Sequence, residues 1–186
     1  MRLAVVLVVG TTCLWPVGAV ASGARRLSGR ASTGTLPSVR MDFNGDGLGD
    51  LAIGVPNEAV GTVTNAGAVN VIYGSTGGLS ATATPDQFWT QNTPNVAGVA
   101  DVDDAFGKAL AAGDFNGDGV ADLAIGVPFE DIAGLDGAGA VNVIYGSAGG
   151  LSATATPDQF WSQDSANVND ACEFDDEFGA AVAAVA

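Results

Sequence analysis

Asp42-Phe43-Asn44-Gly45-Asp46-Gly47 (DFNGDG, residues 42–47) stands again, letter for letter, at residues 114–119. The step is 72 residues, and the register holds beyond the hexapeptide without a gap. Asp50–Pro56 (DLAIGVP) matches Asp122–Pro128, and Ala66–Ser75 (AGAVNVIYGS) matches Ala138–Ser147. Gly77–Trp89 (GGLSATATPDQFW) matches Gly149–Trp161, and Phe106-Gly107 is answered by Phe178-Gly179. A repeat this faithful sets the architecture before any local reading, because each copy must bury its apolar face against the next.

Each unit reads as short strands separated by turn residues. Leu51–Val55 and Leu123–Val127 are apolar runs closed by proline, which suits buried strands. Ala68–Tyr73 and Ala140–Tyr145 (AVNVIY) are β-branched and apolar and lie between glycines. Gln87–Gln91 and Gln159–Gln163 carry Phe-Trp pairs and read as outer strands. Lys108–Ala112 and Ala180–Ala184, each after a Phe-Gly pair, read as strands of small residues, too short for an isolated helix. Four strands per unit, unit stacked on unit, is the pattern of a propeller blade. The expected fold is all-β: two nearly complete blades and the first strand of a third, a ring that this chain alone does not close.

The repeated hexapeptide opens a nine-residue pattern with the chemistry of a calcium loop. In Asp42-x-Asn44-x-Asp46-Gly47-x-x-Asp50, positions 1, 3 and 5 can aim oxygen side chains at one point. Glycine at position 6 permits the sharp turn, the carbonyl of Leu48 can add a ligand, and Asp50 can close the set. The second copy offers Asp114, Asn116, Asp118, the carbonyl of Val120, and Asp122. Calcium takes six to eight hard oxygen ligands in a flexible shell, and a divalent cation relieves the repulsion among three carboxylates. The loop is not an EF-hand, since Ile53 and Ile125 stand where the bidentate glutamate belongs and a strand-like run follows. About two calcium sites are expected.

Phe106-Gly107, then the calcium loop, then Gly126-Val127-Pro128 resembles the FG-GAP repeat of integrin α-subunit β-propellers and of many secreted bacterial proteins. The resemblance runs from about Met41 to the last residue. It implies blades with calcium held between the first two strands, on the ten ligand positions just named. It divides the chain into repeat 1 at 41–105 without its first strand, repeat 2 at 106–177, and the start of a repeat 3 at 178–186. Propellers of this kind close rings from several blades, commonly seven.

Composition narrows the partners. The formal net charge is −15, and from Met41 onward Lys108 is the only basic residue against 21 acidic ones. Nucleic acid and anionic membrane surfaces would be repelled, and cations attracted. The chain has no histidine, which removes the commonest general base and a common transition-metal ligand. Met1-Arg2, the apolar run Leu3–Gly10 and Ala19-Val20-Ala21 form a secretory leader with a cut expected after Ala21. Residues 22–40, rich in Ser, Gly, Thr and Arg, read as a flexible leader segment. With Cys13 removed, Cys172 stands alone and reads as a buried or idle thiol.

Other features read as architecture. Trp89, Trp161, Phe106 and Phe178 are expected to fill space between sheets. Asp101, Asp103 and Asp104, with Asp175, Asp176 and Glu177, are expected in solvated loops before each Phe-Gly. Glu130-Asp131 reads as a blade-edge loop. No nucleophile–base pair and no phosphate-cradling glycine loop is visible. The expectation is a secreted, non-catalytic calcium-binding module that recognises an extracellular protein or glycan, neither binding nucleic acid nor inserting into membranes. Open blade edges could also pair copies of the chain. The alternative is a fragment of a longer propeller protein, including the scaffold part of a secreted hydrolase.

Overall fold

The computed structural model describes residues 41–184; the secretory leader and the segment at 22–40 lie outside the described residues. Seven strands make two antiparallel sheets. The first contains β1 (Leu51–Val55), β2 (Ala68–Ile72) and β3 (Gln87–Trp89) in that order. The second contains β4 (Leu110–Gly113), β5 (Asp122–Val127), β6 (Ala140–Ile144) and β7 (Gln159–Trp161). The 72-residue register is kept in the pairing: Ile53 faces Asn70 across β1–β2, as Ile125 faces Asn142 across β5–β6. The all-β expectation of two blades, unclosed, stands.

Alternation along the strands decides which side chains meet. Leu123, Ile125 and Val127 of β5, with Ile144 of β6 and Leu110 of β4, present one face of the second sheet. That face packs on Val69, Val71, Tyr73 and Trp89 of the first sheet, with Phe43 beside them, as one apolar core. The opposite face of the second sheet carries a smaller cluster: Ala124, Val143 and Tyr145, with Ala111, Val141 and Trp161 against it. On the outer face of the first sheet Leu51 and Phe88 are exposed, and Ile53, Asn70 and Ile72 are partly so.

The repeat's glycines mark the crossing from one blade to the next. Phe106 N–H donates to the carbonyl of Ala66 at 2.9 Å, tying the start of repeat 2 back onto the first sheet. Phe178 does the same to Ala138 at 3.0 Å. A Cβ at Gly54 would lie 2.0 Å from the carbonyl oxygen of Gly107, and one at Gly126 equally close to that of Gly179. Only glycine allows the two backbones to approach so closely.

Three expectations need correction. Residues 180–184 form no strand. Their counterpart β4 exists because β5 pairs with it from Leu110–Ile125 to Gly113–Asp122, and among the described residues nothing offers 180–184 such a ladder. Asp104 is not solvated but buried at the seam between the sheets, whereas Asp101, Asp103, Asp175, Asp176 and Glu177 are exposed as expected. Trp161 and Phe178 are only partly buried, while their counterparts Trp89 and Phe106 are core residues. The difference in each case is whether another blade covers the position. Cys172 is a buried free thiol.

Candidate metal centre

The two Asp-rich loops adopt one conformation. Asp42 accepts the backbone N–H of Asp46 at 3.1 Å on Oδ1 and that of Gly47 at 2.7 Å on Oδ2. Asp114 accepts those of Asp118 at 3.0 Å and Gly119 at 3.0 Å. Asn44 and Asn116 each accept the N–H two residues on, at 3.0 and 2.9 Å, and their amides turn to Asp46 and Asp118. The N–H groups of Leu48 and Val120 donate at 2.8 Å to Asp46 and Asp118. These are Asx turns in series, and they favour this sequence locally because short polar side chains can bond the backbone ahead of them. Gly47 and Gly119 have φ of 86° and 90°, a region closed to most L-residues.

The aspartate at position 9 does different work. Both oxygens of Asp50 accept backbone N–H groups, from Phe43 at 2.7 Å and from Gly74 at 2.8 Å. Asp122 does the same for Phe115 and Gly146, both at 2.8 Å. Each therefore staples the loop's entry to the residues just past the end of β2 or β6. Burial pushes both carboxyls above the ordinary carboxylate range, and their backbone donors partly offset it. Sequence reasoning placed these residues among the ligands and missed the staple; the signal was there in Gly74 and Gly146, invariant between the copies.

The donor set of each loop (two carboxylates, an amide oxygen, a backbone carbonyl and a further carboxylate) is the hard-oxygen chemistry of calcium. As they stand, the oxygens are shared out among backbone N–H groups. No three acidic side chains among the described residues are gathered as tightly as a closed metal shell requires.

The loops differ in what surrounds them. Around the first, Phe43 is fully buried, and the carbonyls of Asp42 and Phe43 accept N–H groups of Ala121 at 3.0 Å and Ser147 at 3.3 Å from the second blade. Phe115 in the second loop is 46% exposed.

Further polar contacts across the seam carry no obvious signature in sequence. Tyr73 donates its hydroxyl to Gln87 and accepts the N–H of Leu151 at 3.2 Å, while Gln87 donates to the Leu151 carbonyl at 3.0 Å. Asn142 donates to the Ala97 carbonyl at 2.9 Å and to Asp158 at 3.1 Å, and Asp158 accepts the Ala97 N–H at 2.8 Å. Gln91 donates to Glu130. Burial, then the nearby Asp104 charge, pushes the Glu130 carboxyl up to about 7; burial chiefly pushes that of Asp104 up to about 6. Glu130 is thus part of the seam, while Asp131 stays exposed and accepts the N–H of Gly137 in its own loop at 3.0 Å.

The model of the FG-GAP repeat family matches residues 33–72 and 106–144. Phosphatidylinositol-glycan-specific phospholipase D of Homo sapiens is 38% identical over 114 residues, 61% of this chain and 13% of that protein. Integrin alpha-3 of Cricetulus griseus is 37% identical over 116 residues, 59% of this chain and 9% of the integrin. Integrin alpha-PS2 of Drosophila melanogaster is 34% identical over 111 residues, covering 57% and 7%. The chain thus spans no more than 13% of these relatives. The matched stretches fall on the two Asp-rich loops and the strands after them, so that each copy is similar to an FG-GAP repeat and to the corresponding stretch of integrin α chains.

Proposed function

We propose that this chain is a secreted, non-catalytic FG-GAP module in which each Asp-rich loop binds one calcium ion, and that it recognises an extracellular protein or glycan. One observation carries the calcium reading: the same hard-oxygen set recurs on two loops of one conformation in two different surroundings. When bound, the ion would neutralise carboxylates that otherwise repel. Asp42, Asn44, Asp46, Asp50 and the Leu48 carbonyl would hold one; Asp114, Asn116, Asp118, Asp122 and the Val120 carbonyl the other. Secretion is supported by the leader at residues 1–21, and among the described residues no helix is long and apolar enough to cross a membrane. The integrin relatives support recognition of a protein.

The test is thermal unfolding with and without calcium. Wild type should melt higher with calcium, because a ligand that binds only the native state stabilises it by mass action. Asp114→Ala and Asp118→Ala should lose the second loop's share of the shift. Variants that respond like wild type would refute the assignment. A second reading, favoured by the similarity to a phospholipase D, makes these repeats the scaffold of a longer secreted hydrolase. Capture of a further FG-GAP unit or a catalytic domain on the same natural polypeptide would select it.

A further inference from the structure

The seam between the two blades joins two surfaces, and the repeat displays a second copy of each at its two ends. On one side of the seam, the front of the first blade presents Phe43, Val71, Tyr73 and Trp89. The same positions at the front of the second blade are Phe115, Val143, Tyr145 and Trp161. Phe115, Val143 and Trp161 line an open groove of about 430 Å³ together with Gln159 and Val182. On the other side, the back of the second blade presents Leu123 and Leu151, 1% and 2% exposed. Their counterparts on the back of the first blade, Leu51 and Leu79, are 37% and 51% exposed.

The polar latches have counterparts too. Tyr73 and Gln87 grip the Leu151 backbone; Tyr145 and Gln159 stand ready for that of Leu79. Asn142 and Asp158 grip Ala97; Asn70 and Asp86 stand ready for Asn169.

We propose that the occupant of the front groove is the back of the first blade of a second copy of this chain. The contact repeats the seam that the chain already makes with itself, so its shape, apolar matching and latches are those seen inside the molecule. Because the two surfaces differ, the association is head to tail and builds a ring or an open stack rather than a two-fold dimer. It does not depend on the calcium reading. The high negative charge opposes it, so added salt should strengthen it.

The test is the mass of the purified full chain by light scattering and sedimentation, with circular dichroism on the same samples. Wild type should run as a multiple of the chain mass. Phe115→Asp blocks the front and Leu79→Asp blocks the back; both positions are exposed in the single chain, so the fold should survive. Each variant alone should run as a single chain, and a one-to-one mixture as a dimer that grows no further. A folded wild-type chain that stays monomeric at high micromolar concentration would overturn the proposal. So would a mixture of the two blocked variants that forms no dimer. In that case a further repeat on the same polypeptide or another protein would cover these faces.

Discussion

The two DFNGDG loops are the same sequence in the same conformation, yet Phe43 is fully buried and Phe115 is 46% exposed. The pair separates what a repeat encodes locally from what its neighbour confers. Asx turns and the position-9 staple are internal to a unit, so both copies have them. Burial of the aromatic residue belongs to the next blade, which covers the first loop and not the second. The same contrast runs through the acidic turns. Asp104 and Asp176 both accept the N–H three residues back, at 2.6 and 2.7 Å, but only Asp104 is buried.

The largest expected break in the comparison is at these phenylalanines. Phe43→Ala should cost about 3–5 kcal/mol, the range for emptying a packed aromatic site. Phe115→Ala should cost under about 0.5 kcal/mol when assembly is blocked by Leu79→Asp. Denaturant unfolding measures both, and equal costs would show that the neighbour does not set the difference.

The staples should behave oppositely, with equal effects in both blades. Asp50→Asn and Asp122→Asn each put an amide N–H against a backbone donor in a buried place, at about 2–3 kcal/mol. A marked inequality would mean that the staple also depends on the seam.

Smaller is the effect of pH, and its largest shifts lie on the covered side. Asp104 and Glu130 have carboxyls at about 6 and about 7 in place of the ordinary 3.8 and 4.5. The folded state therefore holds protons that the unfolded chain releases, so their contribution is full below the ordinary values and is lost as pH rises toward about 7. The midpoint should fall by roughly 4 °C between pH 5 and pH 8. Glu130→Gln should remove most of that slope, whereas Glu58→Gln, at the matching position of the first blade, should leave it. A slope unchanged by Glu130→Gln would place its origin elsewhere.

Much of this was legible in the chain itself. The 72-residue register, the apolar runs at Leu51–Val55 and Leu123–Val127, and the glycine at position 6 of each loop give strands, blades and turns. What stayed hidden is what depends on contact between units. Nothing local distinguishes Phe43 from Phe115 or Asp104 from Asp176, and residues 180–184 have strand composition without a strand to pair with. Tyr73, Gln87, Asn142 and Asp158 became visible as a latch only once two sheets faced each other. Repeats make this division plain, because identical residues sit in both conditions.

The most direct measurement of the central claim is calorimetric titration of calcium into the full chain, alongside Asp42→Ala, Asp114→Ala and the double variant. The account predicts two sites in wild type, one in each single variant and none in the double. Absence of saturable binding in wild type, or two sites surviving in the double variant, would contradict it.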